Sequence, residues 1–148
     1  MSIRQDIKAA LKVKLLTIIS GTTYATTIVK VHDKVLELTE VSESDFPSLA
    51  IASLMERVVK GESLREHTWG LVLIGYVKVA QDYSNAGNLT AEYEKIYNDV
   101  QVLIDANPEL GVEDVVDVEV TGLDPYLDDS DTKGFFTIGL QVIYNTDF

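Results

Sequence analysis

The sequence predicts an α+β domain: a mixed, mostly antiparallel sheet of about five strands with two helices packed on it. Three observations predict it. Apolar residues recur at steps of three and four in two separate stretches, near the start of the chain and after residue 90. TWGLVLIGYVKVA, from Thr68 to Ala80, is an almost unbroken apolar run with the look of a central strand. Two late stretches alternate apolar and polar residues, as half-buried strands do. At 148 residues the chain is about one domain, spanning 1–148.

The first helix is expected over residues 2–19. Ser2 is suited to its N-cap, and Ile3, Ile7, Ala10, Leu11, Leu15 and Ile18 form its inner stripe, interrupted by Lys14. Arg4, Lys8 and Lys12 follow one another at i,i+4 along another face, where like charges cost a few tenths of a kcal/mol. That row reads either as a solvated face or as a contact with an acidic partner or subunit. Ser20-Gly21 should end the helix. Ile28, Val29 and Val31 suggest a strand, His32-Asp33-Lys34 a polar break, and Val35, Leu36 and Leu38 a continuation or reversal. Glu40 to Asp45 is an acidic loop closed by Phe46-Pro47, and the proline belongs at a strand entrance or edge.

A strand from Leu49 to Met55 should follow. Glu56 to His67 is a charged connection, either a hairpin loop or a protruding arm, before the long strand Thr68 to Val79. Gly70 and Gly75 within that strand suggest bulges or close backbone approach. After a polar turn at 82–88, Thr90 can cap a second helix, about Ala91 to Ala106, with Glu94 near the capping-box place. Its stripe is Tyr93, Ile96, Tyr97, Val100, Leu103 and Ile104, and Asn107-Pro108 ends it. Val115, Val116, Val118 and Val120 are set against Asp117, Glu119 and Thr121. Phe136, Ile138, Leu140, Val142 and Tyr144 alternate in the last strand. Between them Gly122 to Gly134 is an acidic loop, GLDPYLDDSDTKG, long enough to suggest a job.

Charge is divided unevenly. Residues 1–80 hold 10 Lys/Arg against 9 Asp/Glu, whereas residues 81–148 hold 2 against 15. An acidic surface repels phosphate and argues against a tight hold on nucleic acid. It suits a basic partner, a surface past which DNA slides, or solubility alone. With no cysteine, disulfides, thiol nucleophiles and cysteine-held zinc are excluded, which fits a reducing compartment. No apolar run nears the ~20 residues of a membrane span, and MSIRQDIKAALK is too polar for a secretion signal. A soluble protein is expected.

Little in the sequence carries chemistry. The two histidines, His32 and His67, have no nucleophile elbow beside them, and no GxGxxG or GxxxxGK[ST] occurs. Asp124, Asp128, Asp129 and Asp131 form the one oxygen-rich cluster. Asp129-x-Asp131-x-Lys133-Gly134 begins like a calcium loop, but Lys133 takes a ligand position and Leu140 stands where a bidentate glutamate belongs. A solvated or partner-binding loop is expected, with no catalytic, metal or cofactor site. Trp69, Tyr76, Tyr93, Tyr97, Phe135 and Phe136 read as core or interface anchors. The candidate interface residues are Arg4, Lys8 and Lys12, then Phe46 and Pro47, then Asp124, Tyr126, Asp128, Asp129 and Asp131.

The order of parts adds a resemblance. An amphipathic helix leads to strands around Phe46-Pro47-Ser48-Leu49. The long Trp69 to Val77 strand, one helix and two closing strands ending in YNTDF follow. This layout resembles the tail terminator (tail completion) proteins of long-tailed bacteriophages. The resemblance implies a homohexameric ring at the head-proximal end of the virion's tail tube. Such a ring stops polymerisation of the tail tube protein and gives the head–tail connector protein a docking face. DNA would pass through its channel without specific binding, and no cofactor or membrane is implied. Complementary faces could come from the basic helix row and the acidic second part. Another head–tail adaptor or a tube-like subunit is the alternative. A small enzyme or ligand-binding domain would instead require a deep pocket with converging polar groups.

Overall fold

The computed structural model describes residues 2–79, 85–125 and 132–147, without side chains at 85–88. Within them, α1 (Ile3–Leu15) and α2 (Asn85–Ala106) pack on β1 (Lys30–His32), β2 (Ser48–Lys60), β3 (Leu64–Lys78), β4 (Val115–Pro125) and β5 (Lys133–Asp147). The sheet order is β1-β2-β3-β5-β4. β1 runs parallel to β2 and every other pairing is antiparallel, so the expected mixed α+β sheet is present.

Ser2 caps α1 as expected. Its hydroxyl accepts the Gln5 N–H while the Gln5 side chain accepts the Ser2 N–H. Ile7, Leu11 and Leu15 are fully buried. The helix ends at Leu15 rather than residue 19. Thr17 and Ile18 donate to the carbonyls three residues back, and the Thr17 hydroxyl takes the Lys14 carbonyl, tightening the chain out of the α ladder. Gly21, with φ of 85°, therefore shapes a later turn instead of ending the helix.

The strand expected at 28–31 lies at Lys30–His32, so His32 belongs to it and not to a break. Val35 to Leu38 forms no strand. The Tyr76 hydroxyl accepts the Leu36 N–H and donates to the Leu36 carbonyl, so this segment bonds a side chain instead of a ladder. Short 3₁₀ turns follow at Leu38–Glu40 and Glu43–Asp45. The Phe46–Pro47 peptide is cis and stands at the entrance of β2.

The expected connection from Glu56 to His67 is strand on both sides, closed by residues 61–63 alone. Its charged composition concealed this, because a ladder in solvent needs no apolar face. Ser53 pairs with Leu71 and Glu56 with Trp69, so Leu54 and Met55 together oppose Gly70 in a bulge. The second helix begins at Asn85, which places Thr90 inside it and not at its cap. Buried Leu89 extends the apolar stripe one turn before Tyr93. β4 reaches Pro125 and β5 starts at Lys133, so the expected loop of 122–134 is strand at 122–125 and at 133–134, and residues 126–131 lie outside the described residues. Val116 is exposed because a bulge between Val115 and Asp117 breaks the alternation.

Both helices cover one face of the sheet. Their stripes meet Leu49, Trp69, Leu71, Leu73 and the alternating residues of β5, from Phe136 to Tyr144, in the main core. On the opposite face a smaller cluster holds Val41, Phe46, Ala50, Ile74 and Tyr76 beneath the segment that precedes β2.

Candidate functional site

The β2–β3 hairpin is the most exposed part of the sheet. Every residue from Arg57 to Glu66 is exposed, Val58, Val59 and Leu64 included. Just before them Leu54 and Met55 are 58 % and 86 % exposed. Apolar side chains set in solvent along one hairpin are what a contact surface offers.

Glu56 stands at the base of this arm. Its carboxylate takes the Arg4 guanidinium from α1, the Tyr144 hydroxyl from β5, and His67 Nδ1 at 3.2 Å. His67 Nε2 lies 2.8 Å from Thr146 Oγ1, and its ring stacks on Tyr144 at 4.5 Å between centroids. Hydroxyl, imidazole and carboxylate thus fall in the order of a proton relay. Yet Arg4 and Tyr144 already share the carboxylate, Tyr144 covers the imidazole, and none of the clefts below is lined by these residues. The cluster braces the arm against α1 and β5.

Both histidines are held below the ordinary imidazole value of 6.5. Burial lowers His67, helped by the positive charges of Arg4 and Arg65. Burial also lowers His32, with Lys30 adding to it and Asp45 and Asp33 opposing; its Nε2 faces Ser48 Oγ at 2.9 Å. Well above 6.5 the rings are neutral in both the folded and the unfolded chain. As pH falls below 6.5, the unfolded chain binds protons that the folded one resists, so stability is lost. Denaturant midpoints should therefore fall between pH 7 and 5.5, and less steeply in a His32→Asn/His67→Gln variant. An equal slope in that variant would refute the assignment.

The residues expected at an interface are not brought together. Arg4 pairs with Glu56 and lies 5.3 Å from the Trp69 ring, Lys8 is 5.9 Å from the same ring, and Lys12 binds Asp33 at 2.8 Å. Much of the basic row is thus engaged within the fold, and Lys12 holds the Asp33 carboxyl below its usual range. Phe46 is nearly buried on the opposite face, with Lys78 and Lys133 over its ring, and Glu43 bridges those two lysines. Lys133, then Lys78, hold the Glu43 carboxyl below its usual range. The Pro47 carbonyl accepts the Val29 N–H. Asp124 is exposed near the end of β4, while Tyr126, Asp128, Asp129 and Asp131 lie outside the described residues.

Sequence reasoning missed the edges of the sheet. β1 pairs only with Ser48–Ala50, so β2 has no outer neighbour among the described residues from Ile51 to Lys60. β4 likewise has β5 on one side and no strand on the other. The sheet face away from the helices carries two shallow clefts that share Leu54, Thr121 and Gly139. A third cleft, between α1 and β1–β2, is lined by Lys8, Lys12, His32 and Asp33 among others. Among the described residues no three His, Asp or Glu side chains come together as a metal site, and no helix is long and apolar enough to cross a membrane.

These features define a small α+β domain with an exposed hairpin arm and a sheet with no strand beyond β4, or beyond β2 from Ile51 on, among the described residues. The chain matches no model of a known protein family and no curated protein sequence.

Proposed function

We propose that this protein is a structural ring subunit of the tail-terminator kind. It caps the head-proximal end of a phage tail tube, stops tube polymerisation and docks the head connector. The observation that carries this reading is the exposed β2–β3 arm on a sheet whose two edges have no further strand among the described residues. A molecule that works by contact needs such surface and no reactive cleft. The element order, helix then hairpin then helix then two strands, supports the same reading. So does the charge division, since a wall of acidic residues lets DNA pass without holding it.

Light scattering of the purified chain should return a mass of about six copies, and electron microscopy a closed ring, as a rotation that closes requires. Added to polymerising tube protein, the ring should shorten the tubes. Long tubes formed by the chain itself would instead identify a tube subunit.

A further inference from the structure

We propose that neighbouring copies join edge to edge, the outer side of β2 in one copy lying antiparallel to the outer side of β4 in the next. This rests on the ring reading above and names the surfaces that would close it. An open strand edge offers a row of backbone donors and acceptors to any strand that can approach, and proteins guard such edges with bulges and charge. Here the guards are of opposite sign. Bulges leave Glu56–Lys60 of β2 and Asp117–Val120 of β4 as regular stretches. Glu56 is turned into the arm's base on the helix side, so the charge this stretch of β2 presents on the other face is Arg57. β4 presents Asp117 and Glu119, has no Lys or Arg from Val115 to Pro125, and makes no ion pair among the described residues.

Sign and geometry then select the partner. Two β2 edges would bring basic side chains together and two β4 edges acidic ones; β2 against β4 brings opposites. Arg57 pairs with Thr68, Asp117 with Ile143 and Glu119 with Gln141, which puts all three on the sheet face away from the helices. Their side chains can therefore meet on one surface. β4 runs opposite to β2 within the sheet, so a copy that continues the sheet meets it antiparallel. Two different surfaces of one chain meeting in this way make a heterologous contact, the kind that generates rings.

The test uses two variants of the full chain. One reverses the acidic edge, Asp117→Lys with Glu119→Lys, and the other the basic edge, Arg57→Glu. By sedimentation each alone should associate at least about tenfold more weakly than the original chain. Mixed one to one they should assemble again, alternating around the ring, because each then presents an edge opposite in sign to the other's. Variants that assemble alone as well as the original chain, or that fail to assemble when mixed, overturn the edge pairing and leave the ring reading standing. An original chain that stays monomeric at high concentration overturns both. Hydrogen exchange on the unaltered protein gives an independent check. Amides of 56–60 and 117–120 should exchange more slowly in the assembly than in the diluted monomer, and equal rates would overturn the pairing.

Discussion

Phe136→Ala is expected to lower the free energy of unfolding by about 3–5 kcal/mol, read from the denaturant midpoint. Phe136 is fully buried, pairs across the ladder with Gly75 and lies 4.7 Å from Tyr93 between ring centroids. Its ring occupies the space a β-carbon on Gly75 would need. Gly75→Ala should therefore cost about 1–3 kcal/mol in the original chain by overpacking. In the Phe136→Ala background the added methyl enters the vacated space, so the double variant should be more stable than the two single costs predict. Strict additivity would show that the ring and the glycine do not share that space. Tyr93 on the far side reports the same packing, since burial lifts its hydroxyl to a pKa of about 12. Loosening the Phe136 site should let the Tyr93 absorbance titrate at lower pH.

Asp99→Ala should cost about 2–4 kcal/mol, because it strands the N–H and hydroxyl of buried Thr26. Asp99 sits on α2 at 5 % exposure. One carboxylate oxygen accepts the Ala25 N–H at 3.0 Å, and the other accepts the Thr26 N–H at 2.9 Å and the Thr26 hydroxyl. The carboxylate is thus the acceptor for a loop with no ladder of its own, tying it to a helix more than seventy residues later. Asp99→Asn should also destabilise, since its amide nitrogen would face donors with a donor. Thr26→Val should cost less, because it removes one bond and leaves both backbone bonds intact. A Thr26→Val loss equal to that of Asp99→Ala would show that the backbone bonds contribute nothing.

Much of the fold was legible where one face of an element carries the information. Ile7, Leu11 and Leu15 mark α1, and Phe136, Ile138, Leu140, Val142 and Tyr144 mark β5, because burial on one side leaves a period in the residues. The arm was not legible as strand. From Arg57 to Glu66 both faces are wet and nothing enforces alternation. Val116 misled for a related reason, since a bulge shifts the period without changing composition. The candidate site was harder still. Glu56 and Asp99 look like ordinary surface acids until the chain brings Tyr144, His67 or Thr26 to them. An edge is a property of neighbours in space, so no local signal marks Arg57 or Glu119 as lying beside one. The charge division between residues 1–80 and 81–148 was the only trace of it.

β5 comes last in sequence among the described strands, yet it lies between β3 and β4 in the sheet. A ribosome that has made every residue up to 125 has therefore made four strands in two pieces with no bridge between them. Helix α2 can form by then, but the hydrophobic layer it needs is missing its middle row. Synthesis of this molecule must pass through a stage with sticky, half-built surfaces. The time needed to thread in one late segment, more than any local event, should set how fast it reaches its native form.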